Sequence, residues 1–222
     1  MRNQIRLWLL NHPKVNPFSL RMRFTKFIIS SGGNRIEYLK ERGWKESFVK
    51  KQAITQKGSP IPWYSYPVLD FLKQTLKNNL KIFEYGAGNS TLWWVNYASE
   101  LIVCEHEKEW IKKIGTLPAN MKIIHRNLDE GYSELIKDYH KCFHIVVIDG
   151  RKRNKCIENS IDSLLPDGII ILDDSNLDKY IDGCNFLASL GFKKIDFYGM
   201  GPISPITQCT SIFYRSGNIL GI

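Results

Sequence analysis

The chain has 222 residues, 43% hydrophobic and 24% charged, which suits one folded domain with an appendage and excludes a disordered polymer. No apolar run approaches the ~20 residues that span a bilayer. The start, MRNQIRLWLL, has an apolar patch too short for a signal-peptide core, so a cytoplasmic location is the expectation. The net charge of +9 is uneven: residues 1–60 hold 13 Lys/Arg against 3 Asp/Glu, and residues 61–222 hold 18 against 19.

Residues 1–60 carry a helical, basic pattern without strand-like runs. They are expected to form a basic helical N-terminal cap or extension that touches a polyanion: a phosphorylated acceptor, RNA or an anionic membrane face. RLWLL and SLRMRFTKFII alternate basic and apolar residues as an interfacial helix does. Pro13 and Pro17 interrupt any long helix, and Trp8, Phe18 and Phe24 would equally serve to pack over a sheet. GSPIPWYSYP (58–67) links this segment to the body, and Pro67 suits the first turn of a helix, PVLDFLKQTLK.

From residue 80 onward apolar runs alternate with helical segments. The runs are KIFEY (81–85), LIVCE (101–105), MKIIH (121–125), FHIVVID (143–149) and GIIILDD (168–174). Continuous Val/Ile-rich runs at this spacing, separated by segments such as STLWWVNYAS and RNKCIENSIDSLL, predict a parallel sheet covered on both faces. A helix over 177–190 follows, then KKIDFYG and CTSIFYR joined only by MGPISPITQ. That link is too short for a helical crossover, so these two strands are expected to pair antiparallel. The predicted architecture is α/β, a doubly wound, seven-stranded, mostly parallel Rossmann-like sheet with an antiparallel last strand.

In such sheets a ligand binds outside the carboxyl ends of the strands. There KIFEYGAGNSTLWW places Glu84 at the end of the first strand, then Gly86 and Gly88, which let backbone approach a ligand, with Ser90 or Thr91 able to cap the next helix. A dinucleotide loop would carry a third glycine and a pyrophosphate, which Glu84 would repel. A ligand with an ammonium and a sulfonium but no phosphate fits better. Glu105, 21 residues later at the end of the second strand, suits the hydroxyls of an adenosine ribose.

On these residues the chain, over roughly 62–215, resembles the class I S-adenosylmethionine-dependent methyltransferases, in a small O-methyltransferase-like variant. Glu84-x-Gly86-x-Gly88 matches the family's first motif, with Ser90 in place of a third glycine. Glu105-His106 matches the ribose-binding end of the second strand, and Asp129 falls where the family places an adenine-side residue. The resemblance implies S-adenosylmethionine as cofactor, bound by Glu84, Gly86, Gly88, Ser90, Thr91, Glu105, His106 and Asp129, in a methyltransferase domain spanning 61–222.

Asp149 ends the fourth strand (IDGRKR), and Asp173-Asp174-Ser175 ends the fifth, so three carboxylates are expected near the transferred methyl group. The Asn/Asp-Pro-Pro-aromatic run of amine-directed methyltransferases and the Pro-Cys of cytosine C5 methylation are absent, which points to an oxygen acceptor. Catechol-type relatives hold Mg²⁺ with an Asp after the fourth strand and Asp-Asn after the fifth. Asp149 and Asp174 occupy the Asp positions, but Ser175 replaces the Asn and is an unusual ligand. The metal-free alternative has Asp149, Asp173 or Asp174 take the acceptor's proton.

The expected activity is methyl transfer to a hydroxyl of a small molecule or glycan. The alternatives are an RNA ribose methyltransferase, a non-catalytic adenosine-nucleotide-binding protein, and, less suited to Glu84, an NAD-dependent oxidoreductase. His144 reads as an edge or packing residue. Trp63, Tyr64, Ser65 and the loop GMGPISP (199–205) are candidates for the acceptor side, and the sequence leaves the oligomeric state open. Cys104, Cys142, Cys156, Cys184 and Cys209 form no CxxC and read as reduced, half-buried residues.

Overall fold

The protein is described by a computed structural model covering residues 33–222. The N-terminal expectations for Trp8, Pro13, Pro17, Phe18 and Phe24 lie outside the described residues. The chain divides into two compact units, Met1–Arg42 and Gly43–Ile222. In the first, helix α1 spans Gly33–Glu41. Everything that follows belongs to the second.

That unit opens on a short helix, α2 (Trp44–Lys50), entered through Gly43 at φ +70°. A Cβ on Gly43 would stand 2.2 Å from the backbone of Thr55 and Gln56, so only glycine lets the helix start fold back so tightly against the turn at 54–60. Ser47 holds that turn: its Oγ donates to Ile54 O and accepts from Ile54 N. Helix α3 (Tyr66–Thr75) starts with Pro67 in its first turn, as its sequence predicts, and buries Val68, Leu69 and Leu72.

Seven strands follow: β1 (Leu80–Tyr85), β2 (Ala98–Glu105), β3 (Met121–His125), β4 (Phe143–Ile148), β5 (Leu164–Asp173), β6 (Lys193–Gly199) and β7 (Gln208–Tyr214). They form one sheet in the order β3-β2-β1-β4-β5-β7-β6. The first five pair parallel, and β7 pairs antiparallel with both β5 and β6. The expected doubly wound, seven-stranded sheet is present. Strand β5 starts four residues earlier than the sequence predicts, running through Pro166 and Asp167, and the β4–β5 register shifts between Phe143 and Ile145. A bulge of this kind accommodates a residue that cannot donate to the ladder.

The intervening helices are α4 (Asn89–Trp94), α5 (Lys108–Ile114), α6 (Arg153–Ser160) and α7 (Ile181–Ser189). The single helix expected over 177–190 is instead a 3₁₀ turn, Asp178–Tyr180, continued by α7. At Gly183 a Cβ would lie 2.5 Å from Ile157 Cδ1, which shows how closely α7 approaches α6.

The two-residue period of β1 sorts its side chains. Phe83 and Tyr85 enter an aromatic core with Phe143 and Tyr132, with ring centroids 4.8–5.5 Å apart. Ile82 and Glu84 face the other way, and that alternation delivers a buried carboxyl beneath α4. His144 Nδ1 accepts the Lys81 N–H at the amino ends of β4 and β1, away from the site. Strand order reverses between β1 and β4, the topological switch point where an open sheet leaves a crevice at its carboxyl ends.

Candidate active site

A cavity of about 650 Å³ occupies that crevice, within the range of small-molecule sites. The loop after β1 supplies Gly86, Ala87, Gly88, Asn89 and Ser90. The turn after β2 supplies Glu105, His106 and Glu107, with Trp110 and Lys113 on α5. The loop after β4 supplies Asp149, Gly150, Arg151 and Arg153. The turn 50–53, Trp63 and Ile203 complete the wall.

The two strand-end turns lie back to back. Gly86 has φ +95°, and a Cβ there would sit 3.0 Å from the Gly150 backbone. A Cβ on Gly150 would meet Tyr132 Oη at 2.0 Å and Gly86 N at 3.1 Å. Neither turn tolerates a side chain at this contact. Gly88 differs: its φ of 176° is ordinary extended backbone, and nothing lies within 4 Å of a Cβ built on it.

Glu84 does not reach the cavity. It is fully buried, and its oxygens accept hydroxyl hydrogens from Ser90 (2.5 Å) and Thr91 (2.6 Å). Thr91 Oγ1 in turn accepts the Gly88 N–H. Glu84 and Thr91 therefore shape the glycine loop from beneath, while Ser90 both lines the cavity and anchors Glu84. Burial pushes the Glu84 carboxyl up to about 8, against the opposing pull of the two hydroxyl donors.

Glu105 is 3% exposed. Its Oε2 accepts the Ala87 N–H, and its Oε1 accepts those of His106 and Glu107. These bonds pin the β1 and β2 loops together and use three of about four acceptor positions. One lone pair on Oε2 remains for a ligand hydroxyl, where the sequence led us to expect two such contacts. His106 Nδ1 lies 2.8 Å from Glu105 Oε1 outside hydrogen-bonding geometry, leaving a buried polar atom without a hydrogen-bond partner at the cavity wall.

The three acids of the β4 and β5 ends separate. Asp149 lines the cavity with its side chain 23% exposed and pairs with Arg153 Nη2 at 2.9 Å. Arg153 also donates to the carbonyls of Asp149, Gly150 and Asp173, so one guanidinium clamps both strand ends. Asp173 is buried behind this clamp, where its Oδ1 accepts the Thr210 hydroxyl at 2.6 Å. Burial, then Asp149 and Asp174, hold the Asp173 carboxyl well above the ordinary range. Burial raises Asp149 to about 6, Arg153 opposing and Asp174 adding. Asp174, at φ +52°, is not part of the cavity wall.

Asp129 is also outside the cavity. Its side chain is 95% exposed and paired with Lys152 at 2.8 Å. Of the residues expected around Tyr64, Trp63 reaches the cavity. Tyr64 is buried, with its hydroxyl accepting from Trp94 Nε1, and Ser65 Oγ donates to Phe197 O. Ile203 brings the 199–205 loop to the wall.

A divalent cation does not fit this donor set. Arg153 already neutralises Asp149, and Ser175 Oγ is engaged with Ser211 Oγ at 2.5 Å. Among the described residues no group of three or more His, Cys, Asp or Glu is placed to hold a metal. Nor is any described helix long and apolar enough to cross a membrane.

Sequence reasoning missed the turn 50–53, Asn89, Trp110, Gly150 and Arg153. The four-residue spacing of Asp149 and Arg153 at a helix start was a usable signal for that pair. The lysine turn had none.

No family model matches the chain, and no curated protein is similar to it. Its likenesses are to solved structures. A caffeoyl-CoA O-methyltransferase-like protein from Staphylococcus aureus has a TM-score of 0.54 and 17% identity, over 88% of this chain and 98% of that one. A precorrin-6y C5,15-methyltransferase from Geobacter metallireducens GS-15 has 0.53 and 17%, over 68% and 87%. A spermidine synthase has 0.52 and 14%, over 66% and 58%. The chain has the fold of the class I S-adenosylmethionine-dependent methyltransferases.

Proposed function

We propose that the chain is an S-adenosylmethionine-dependent methyltransferase that places the methyl group on a hydroxyl oxygen of a small-molecule or sugar acceptor, without a metal ion. The observation that carries the reading is Asp149. It is a carboxylate on the wall of the switch-point cavity, fixed by Arg153 at 2.9 Å and pushed up to about 6 by burial, poised to take a proton near neutral pH.

When bound, S-adenosylmethionine supplies an electrophilic methyl group on a sulfonium. The residues that would hold it are the Gly86–Ser90 loop, Glu105 through its remaining lone pair, and His106 through its unpartnered Nδ1. Asp149 accepts the hydroxyl proton of the acceptor. Arg153 fixes the Asp149 carboxylate through Nη2. The fully buried Glu84 holds Ser90 and Thr91, which keeps the loop open. The five cysteines are free, which fits a reducing compartment such as the cytoplasm.

Calorimetry with S-adenosylhomocysteine and NAD tests the reading. S-adenosylhomocysteine is expected to bind, NAD is not, and Glu105→Ala should weaken binding by about 1–3 kcal/mol. With an acceptor in hand, Asp149→Asn should lower turnover by about 100-fold or more at unchanged cofactor affinity. NAD binding without a response to S-adenosylhomocysteine overturns the proposal.

A further inference from the structure

The cavity wall carries more positive charge than its own acids neutralise. Lys50, Lys51, Lys113, Arg151 and Arg153 line it against Glu105, Glu107 and Asp149. Arg153 is spent on Asp149, and Glu105 on three backbone amides. Glu107 lies beside His106 at 3.4 Å, and Lys113 packs over the Trp110 ring at 4.3 Å. Lys50, Lys51 and Arg151 form no ion pair among the described residues.

The lysine turn is built rather than loose. Lys51 is a non-glycine residue at φ +54°, a conformation that costs about 1–2 kcal/mol. It persists because the α2 end is capped through Ser47 O, and because the Asn89 side-chain amide, at the start of α4, donates to Ala53 O at 2.8 Å. Asn89 thus ties the lysines to the glycine loop. Trp63, 47% exposed, adds a flat apolar face to the same cavity.

On the proposed reading the cofactor does not balance this charge. Its sulfonium and ammonium outweigh its one carboxylate, so it enters with net charge +1. An anionic acceptor would complement this unpaired charge. We infer that the methyl acceptor carries a phosphate or diphosphate group, held by Lys50, Lys51 and Arg151 at the rim of the cavity while its hydroxyl faces Asp149. Lysine acts as a point charge and arginine as a two-pronged donor, which together suit phosphate oxygens. The inference rests on the methyl-transfer reading for the identity of the ligand as acceptor, but not for the anion site itself.

The test is calorimetric titration of the full chain with inorganic pyrophosphate at about 50 mM salt, with S-adenosylhomocysteine titrated in parallel and thermal melts confirming that each variant folds. The wild type should bind pyrophosphate. A Lys50→Ala/Lys51→Ala/Arg151→Ala variant should bind it at least about tenfold more weakly while holding S-adenosylhomocysteine to within about twofold. The inference is overturned if the wild type ignores pyrophosphate or if the variant binds it equally well. It is also overturned if affinity for S-adenosylhomocysteine falls in step, which would assign the lysines to the cofactor's carboxylate. A ten-nucleotide single-stranded RNA bound more than about a hundredfold tighter than pyrophosphate would replace the small phosphorylated acceptor with RNA. Pyrophosphate binding without any S-adenosylhomocysteine binding would defeat the methyl-transfer reading and leave the anion site standing.

Discussion

Glu84 looks in the sequence like a ligand for the cofactor's ammonium and in the structure is a buried support for the loop. One strand residue decides the difference. Alternation along β1 turns its side chain under α4, where Ser90 and Thr91 close over both oxygens. The raised carboxyl makes a stability prediction with a definite sign. Its folded-state value of about 8 lies above the ordinary 4.5, so between those values the folded state binds more protons than the unfolded one. Stability is then greatest below pH 4.5 for this group and is lost as pH rises through 8, a contribution on the order of a few kcal/mol. Asp149 and Asp173 are shifted in the same direction. Urea unfolding at pH 5 and pH 8 should show the wild type weakening with pH, and Glu84→Gln gaining on it as pH rises. Parallel profiles for the two proteins would mean that Glu84 is ionised throughout.

The strands were legible in the sequence because parallel strands buried on both faces must be continuous apolar runs, and KIFEY, MKIIH and KKIDFYG match observed strands to within a residue. The candidate cavity was legible at the strand ends, where Gly86, Gly88, Glu105 and Asp149 line it. It was not legible where the decisive fact is which turn backs onto which. Nothing in IDGRKR announces that Gly150 must be bare because Gly86 lies 3.1 Å from where its Cβ would be. The turns themselves separate packing from ligand contact. Gly150→Ala drives a Cβ into Tyr132 Oη, a buried group with no room to retreat, and should cost about 1–3 kcal/mol of stability. Gly88→Ala meets nothing in the protein and should leave the melting temperature unchanged while placing a methyl in the cavity and weakening S-adenosylhomocysteine. Melts and calorimetry on both variants check the split. Equal destabilisation of the two would show that the loop is held by glycine flexibility in general rather than by one backbone contact.

At the scale of the whole molecule, composition and compactness divide the chain at different places. Charge changes character at about residue 60, whereas the compact units meet after Arg42. The difference is the segment 43–60, which is basic like the residues before it, yet its helix α2 is tied by Trp44 Nε1 to Ser204 O and its turn by Asn89 to the glycine loop. Composition records charge, and charge does not record packing, so a lysine turn belonging to the cavity was grouped with the N-terminal segment. Residues 1–42 hold 9 Lys/Arg against 2 Asp/Glu, leaving the second unit with 22 against 20. Every residue of the described cavity wall lies in the second unit. A unit with its own core can carry a small-ligand cavity by itself. A protein comprising residues 43–222 should therefore unfold cooperatively and bind S-adenosylhomocysteine within about threefold of the full chain, a difference under ~0.7 kcal/mol. Its elution from a heparin column should move to much lower salt, because most of the net charge leaves with the first unit. Should the shortened protein fold but lose more than about tenfold in cofactor affinity, the first unit would be a lid that completes the pocket and not a separate electrostatic surface.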